Sequence, residues 1–133
     1  MPKRELLHPT MGSGRGFSRA IEVSGGRTIY FAGQAPNAPG VTTVGVGDVV
    51  AQAEACFGKL KAIIEDAGGT MNDFVMINMY VTDMAAIGKI REVISGHFTD
   101  VPLPCMSGYQ VVALADPEWE IEIDGVAFLD GAA

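Results

Sequence analysis

The chain has 133 residues, 48% of them apolar, and its 9 basic and 16 acidic residues give a formal net charge of −7. This length predicts one domain, residues 1–133, with enough apolar side chains to form a core. The acidic balance, which no basic run offsets, argues against nucleic acid and anionic membrane as partners.

Cysteine spacing and the search for targeting segments narrow the class of protein further. Cys56 and Cys105 stand alone, without CxxC spacing, so neither a disulfide framework nor a zinc site is expected. No apolar run is long enough to span a bilayer. Residues 1–15 mix prolines and glycines with charges and lack the apolar core of a secretory signal. They predict an irregular arm on a cytoplasmic protein.

The domain is predicted to open with a β-hairpin. Residues 17–23 alternate in polarity, and residues 28–34 are rich in β-branched and aromatic side chains, as strands are. Residues 24–27, Ser-Gly-Gly-Arg, supply the turn. Gly33, near the end of the second strand, lets a ligand or another backbone come close.

A first helix is predicted to begin after Asp48, its N-cap, and to end at Gly68-Gly69. Apolar residues recur at the spacing of one buried stripe, and Gln52 is assigned to the opposite, water-facing side. Cys56 lies in the stripe and is interpreted as a small core residue rather than a reactive thiol. The stripe consists of Val49, Ala53, Cys56, Phe57, Leu60, Ile63 and Ile64.

Residues 72–83 are predicted to form a third strand. Apolar side chains dominate both of its faces, which indicates a central strand or one at a subunit contact. Asp83 can cap a second helix over residues 84–97, with Lys89 and Arg91 facing water. The apolar stripe of that helix is Ile87, Ile90, Val93 and Ile94.

Residues 102–124 are predicted to close the sheet as a hairpin, with Asp116-Pro117 at the turn. Its second strand alternates with a period of two, as a strand with one buried face does, and residues 125–128 prolong it. One face carries Trp119, Ile121 and Ile123. The other carries Glu118, Glu120, Glu122 and Asp124.

The predicted order is therefore β-β-α-β-α-β-β. Two helices on one face of a mixed sheet give an α+β two-layer sandwich. The other face would expose a large apolar patch, and self-association is the economical way to cover it.

Several segments in this order resemble the RidA/YjgF family of reactive-intermediate deaminases, from about residue 17 to 128. They are Thr28–Pro36, the helix end Ala67-Gly-Gly, the strand 75–83 with Tyr-Val-Thr-Asp, and Leu-Pro-x-x-Ser followed by Ile-Glu-Ile-Asp. The resemblance implies a homotrimer with a chorismate-mutase-like fold and clefts between subunits. It also implies a hydrolase that converts enamines or imines to 2-keto acids and ammonia without metal or organic cofactor.

By this resemblance, Glu122 is the catalytic residue that positions a water. Gly33 offers backbone groups beside the substrate, and Cys105 lies on the cleft wall. The residues themselves leave non-catalytic alternatives open. Glu122 shares its row with other solvated acids and can be one of them, and Cys105 has no base near it in sequence and can be a small wall residue.

The chain departs from the family at its substrate-binding positions. The family arginine that grips the substrate carboxylate is Met106 here, and methionine offers only a soft apolar surface. The usual tyrosine of the N-terminal loop is Phe17, and Lys89 takes a position that is often asparagine. Arg15 or Arg19 is a candidate for a replacement cation.

Two hypotheses follow. The first is an imine or enamine deaminase with a substrate unlike 2-aminoacrylate. The second is a non-catalytic trimer that binds a small ligand in its clefts or acts as a chaperone-like accessory, since a fold does not determine a function.

Overall fold

A computed structural model describes residues 2–11, 14, 16–37 and 42–131. Its six strands and two helices follow the predicted order, with one short strand added at the start. Short 3-10 turns at Met71–Asp73 and Met84–Ala86 precede the fourth strand and the second helix. The elements are β1 (Lys3–Glu5), β2 (Ile21–Val23), β3 (Arg27–Gln34), α1 (Val49–Asp66), β4 (Phe74–Val81), α2 (Ile87–His97), β5 (Cys105–Gln110) and β6 (Ile121–Leu129).

The main sheet has four strands in the order β3-β6-β4-β5. β6 runs antiparallel to both β3 and β4, whereas β5 runs parallel to β4 after the α2 crossover. Both helices pack on one face of this sheet, which confirms the α+β two-layer class. The prediction that β4 is a central strand is also correct.

In both predicted hairpins, the two strands do not pair with each other. β2 pairs with β1, so part of the expected irregular arm is a strand, and β3 pairs with β6. β5 pairs with β4 instead of β6. The turns between them do form: Gly25 and Gly26 have positive φ, and Asp116 accepts hydrogen bonds from the two residues that follow the turn. Polarity patterns assign faces to strands but carry no information about the partner strand.

The helix boundaries agree with the predicted caps. Asp48 accepts a hydrogen bond from the Ala51 backbone amide, and Asp83 accepts one from Ala85. Gly68 adopts φ of 92° at the end of α1. Helix α2 proper begins at Ile87, after the 3-10 turn.

The core lies between the helices and the covered sheet face. Register places Ile77, Met79 and Val81 of β4 beside Gly125, Ile123 and Ile121 of β6 on that face. From α1, Phe57 and Leu60 are fully buried, and the Phe57 ring meets Phe98 edge-on at 5.8 Å. Ile63, assigned to the stripe, is 42% exposed. Gln52, assigned to water, is fully buried.

Neither of the helices in the described ranges has the length and apolar character needed to cross a membrane.

Candidate functional site

A cavity of about 530 Å³ opens between α2 and the β4–β5 edge of the sheet. It lies on the helix-covered face, because Met106 of β5 pairs with Ile77 of β4, whose side chain is in the core. The wall is mostly apolar. Its principal apolar side chains are Met79, Ile87, Ile94, Phe98, Leu103 and Met106.

Phe17 reaches this cavity because the chain beside it is bonded to the start of β5. The Ser18 amide donates to the Pro104 carbonyl at 3.0 Å, and the Ser18 hydroxyl donates to the Leu103 carbonyl. Ser18 is buried, and it forms a parallel bridge with Cys105. The structure thus brings Phe17 and Met106, far apart in sequence, to one cavity.

Helix α2 presents Ile87, Arg91 and Ile94 to the cavity. These residues are spaced by four and three, so they share one side of the helix. Lys89 is two residues from Arg91, about 200° around the helix axis, and therefore points elsewhere. It borders a separate depression with Asp48 and Glu120.

Glu122 and Gly33 lie on the opposite, helix-free face of the sheet. A bulge in β3, where two residues oppose Asp124 of β6, separates the pairs Phe31–Gly125 and Gln34–Ile123. It brings Gly33 against the carboxylate: a Cβ on Gly33 would lie 2.7 Å from Glu122 Oε2. The missing side chain leaves the space that the carboxylate occupies.

A hydrogen-bonded group stands next to Glu122 on this face. The Asp124 carboxylate accepts from Asn78 Nδ2 and from the Tyr80 hydroxyl, both at 2.9 Å. The bond to Asp124 is the main reason that the pKa of Tyr80 is raised, so the phenol stays protonated. Tyr80 also stacks on Tyr109, with centroids 5.7 Å apart. The neighbours of Glu122 are therefore held in place.

Neither cysteine lies in the cavity. Cys105 pairs in register with Met76 and so faces away from Met106, toward the β1–β2 side of the protein. Cys56 is buried under β6 with its thiol directed at the Ile121 carbonyl. Burial raises the pKa of both thiols, that of Cys56 to about 12. Among the described residues, no three His, Cys, Asp or Glu side chains are grouped to hold a metal ion.

These raised pKa values predict slow alkylation of both thiols by iodoacetamide near pH 7. A raised pKa keeps a thiol protonated to higher pH, and the thiolate is the reactive form. The Cys105 rate should therefore increase only as the pH passes the ordinary thiol range, and Cys56 should stay nearly inert. Mass spectrometry of timed quenches would measure both rates, with urea-unfolded protein as the fast reference. Rapid labelling of folded protein at pH 7 would contradict this.

One chain cannot bring the two groups of residues to a single ligand. Met106 and Glu122 are on opposite faces, and β4 lies between their strands, which separates those strands by roughly 10 Å. A site that uses both groups has to combine the cavity of one chain with the helix-free face of another.

Arg91 is the residue of this cavity that the sequence analysis missed, because it was assigned to water with Lys89. A usable signal was present, since Arg91 shares a helix side with Ile87 and Ile94. Of the cations considered instead, Arg15 lies outside the described residues. Arg19 is exposed and is not part of the cavity wall.

Comparison with known proteins gives consistent matches over nearly the whole chain. The family model described as "Endoribonuclease L-PSP" matches residues 10–129. The chain is 33% identical to the protein DfrA of Myxococcus xanthus over 84% of this chain and 83% of that one. It is 26% identical to a 2-iminobutanoate/2-iminopropanoate deaminase of Dermatophagoides farinae, covering 97% and 98%. The crystal structure of YyfB from Yersinia pestis, described as a conserved Rid family protein of unknown function, superimposes with a TM-score of 0.86. It is 32% identical and covers 97% and 100%.

Proposed function

The chain belongs to the RidA/YjgF (Rid) family, and from this premise we propose that it is a deaminase that hydrolyses a reactive imine or enamine to a carbonyl compound and ammonia. One relative carries the name of an imine deaminase, which supports the reaction class. The substrate is atypical, because Met106 stands where the family has its carboxylate-binding arginine.

The reaction needs little from the protein. An enamine first takes a proton on carbon to give an iminium ion, which becomes the imine when its nitrogen releases a proton. Water then adds to the imine carbon while its proton passes to a base and the nitrogen gains a proton. The resulting carbinolamine loses its C–N bond, ammonia leaves with a further proton, and the hydroxyl gives up its own to form C=O. A positioned carboxylate serves each of these transfers, and we assign that role to Glu122.

One observation carries this assignment: the Glu122 carboxylate occupies the space left open by Gly33. Of its row, Glu118 is exposed in the preceding loop, Glu120 precedes β6 and borders the depression with Lys89, and Asp124 is bonded to Asn78 and Tyr80. Glu122 therefore differs from the solvated acids with which the sequence grouped it. Gly33 contributes exposed backbone beside it, where a substrate can hydrogen-bond.

We further propose a homotrimer in which each cleft joins two chains. Phe17 and Met106 form the apolar wall from one chain, and Gly33 and Glu122 come from its neighbour. The helix-free face supports this arrangement, because it leaves Tyr30 80% and Tyr109 48% exposed. Lys89 and Cys105 are not assigned to this cleft in the proposal, because neither lines the cavity that holds Phe17 and Met106. Native mass spectrometry would test the trimer.

The activity is tested by ammonia release from a panel of freshly generated imines and enamines, including amino-muconate-like compounds. Each reaction is compared with Glu122→Ala protein and with buffer. Release above buffer that disappears in the variant supports the proposal. Release that is equal in wild type and variant for every compound contradicts it.

Replacing Gly33 by alanine is expected to lower kcat/KM by about tenfold or more with little loss of stability. The added Cβ would lie 2.7 Å from Glu122 Oε2, so the flexible carboxylate must move from its position. Small displacements of a catalytic group carry rate penalties of this order or larger. Gly58→Ala is the matched control, since a Cβ there meets nothing within 4 Å. Steady-state kinetics and thermal unfolding would separate the two effects, and unchanged kinetics in Gly33→Ala would contradict the role given to Glu122.

A non-catalytic binding protein is the second candidate, and the apolar cavity with Met106 in its wall favours it. Such a protein would retain a small ligand, visible by native mass spectrometry after incubation with metabolite extracts. It would release no ammonia from any compound of the panel.

Cleavage of RNA is not proposed, although the family model is named after an endoribonuclease. A chain with a net charge of −7 repels a polyphosphate, and RNA-binding sites depend on lysine and arginine.

A further inference from the structure

The cavity contains one charged side chain among the described residues of its wall, and that side chain is Arg91. In the described part of the chain, ion pairs join Arg4 to Glu22 and His97 to Glu54, and no carboxylate pairs with Arg91. Arginine keeps its charge at every physiological pH. Arg91 is exposed to solvent where it borders the cavity, so its guanidinium stands at the cavity mouth in a chain with seven excess negative charges. It is suited to receive an anion.

We propose that Arg91 binds the carboxylate of the substrate and thereby determines specificity, in place of the arginine that Met106 has replaced. The inference rests on the deaminase function proposed above and deepens it. The substrate class is then an imine or enamine that carries a carboxylate and an apolar side group.

The position of Arg91 on α2 explains how it can take over this role. Ile87 and Ile94 lie one turn before and one turn after it on the same side of the helix, and both line the cavity. The apolar stem of the arginine can lie along them while the guanidinium remains at the mouth. A carboxylate held there by two parallel hydrogen bonds directs the rest of the molecule inward.

Apart from Ser95 and Ser107, the rest of the wall is apolar and selects for an apolar body. Phe17 has no hydroxyl, and Met106, Met79 and Leu103 offer only carbon and sulfur. The volume of about 530 Å³ is within the range of roughly 300–1,000 Å³ seen for pockets that enclose drug-sized ligands. A three-carbon imino acid would leave most of this apolar surface uncovered, whereas a branched or aromatic side group would cover it.

The alternative cations do not meet these conditions. Lys89 borders a depression that already contains Asp48, Asp83 and Glu120, so its charge has carboxylates nearby. Arg19 is not part of the cavity wall. Arg27 donates to the Ala67 carbonyl at the end of α1.

The test measures binding and needs no turnover. Isothermal titration of the full-length protein in its native assembly compares phenylpyruvate, its primary amide and pyruvate. Wild type should bind phenylpyruvate at least about tenfold more tightly than either of the other two, because the amide lacks the charge and pyruvate lacks the apolar body. Arg91→Met should lose that preference for phenylpyruvate over its amide, and Arg91→Lys should keep part of it.

Lys89→Met is the matched control, since it removes one positive charge from the other side of the same helix. It should bind like wild type; circular dichroism would verify that each variant is folded. Unchanged phenylpyruvate affinity in Arg91→Met, or an equal loss in Lys89→Met, would overturn the assignment. Ammonia release, measured separately, distinguishes the two proposals. Binding that depends on Arg91 without any ammonia release would refute the deaminase proposal and leave the carboxylate site standing. Full deaminase activity in Arg91→Met would refute the carboxylate site and leave the deaminase proposal standing.

Discussion

Glu122→Gln protein is expected to lose about 10²–10⁴-fold in kcat/KM on any imine that the wild type hydrolyses. Glutamine has nearly the same shape but cannot accept the proton of the attacking water, and general acid–base catalysis contributes a factor of this size. The free energy of unfolding should change by about 0.5 kcal/mol or less, because the side chain is only half-buried and forms no hydrogen bond in the described structure. Initial rates of ammonia release and urea unfolding would measure both quantities.

Glu118→Gln is the matched control for this result. It removes one carboxylate from the same sequence row, but from an exposed loop position that precedes β6. Its activity should equal that of wild type. If both variants lost activity equally, the effect would come from the overall charge, and the specific role of Glu122 would be wrong.

Gln52→Ala is expected to lower the free energy of unfolding by about 2–5 kcal/mol. The fully buried amide of Gln52 donates to the Gly45 and Glu118 carbonyls at 3.1 and 3.0 Å, and its oxygen accepts from the Glu120 amide at 2.8 Å. Removing it leaves the Glu118 carbonyl and the Glu120 amide without partners, each of which costs about 1–3 kcal/mol when buried, whereas the Gly45 carbonyl still accepts from the Asp48 amide at 2.8 Å. Urea unfolding at matched protein concentration would measure the loss.

Two further variants separate hydrogen bonding from volume. Gln52→Leu keeps the side-chain size, so it should be destabilised to a similar extent if the hydrogen bonds matter. Lys61→Ala changes an exposed residue of the same helix and should alter stability by about 0.5 kcal/mol or less. A Gln52→Leu protein as stable as wild type would show that the contacts with the loop before α1 and the segment before β6 contribute nothing.

Gln52 also shows where sequence interpretation reached its limit. Gln52 lies three residues after Val49 and four before Cys56, at the edge of the apolar stripe, yet a polar residue is normally assigned to water. Only the two loops that converge on α1 make burial of this one favourable. The same limit applies to Arg91, whose charge concealed that it shares a helix side with Ile87 and Ile94. In both cases the surroundings come from chain segments that are distant in sequence.

For Glu122 and Gly33 on the helix-free face, the sequence predicted the face of the side chain but not its neighbour. The alternation of β6 was sufficient to place Glu122 on the face away from Ile121 and Ile123. It could not show that a bulge in β3 brings Gly33 against that carboxylate, because a bulge is a property of the paired strands. Likewise, the sequence indicated both Met106 and Phe17 as substrate-binding residues. Their proximity depends on the hydrogen bonds from Ser18 to the segment at the start of β5.

By itself, the sequence determined the two helices, the strands other than β1, their order, their caps and the α+β class, because periodicity, capping residues and glycine turns act over a few neighbouring residues. Tertiary structure alone decided that β5 pairs with β4, that β3 pairs with β6 and that a cavity forms beside Arg91. Those outcomes depend on which distant surfaces bury each other best, and local polarity is nearly the same for every candidate partner.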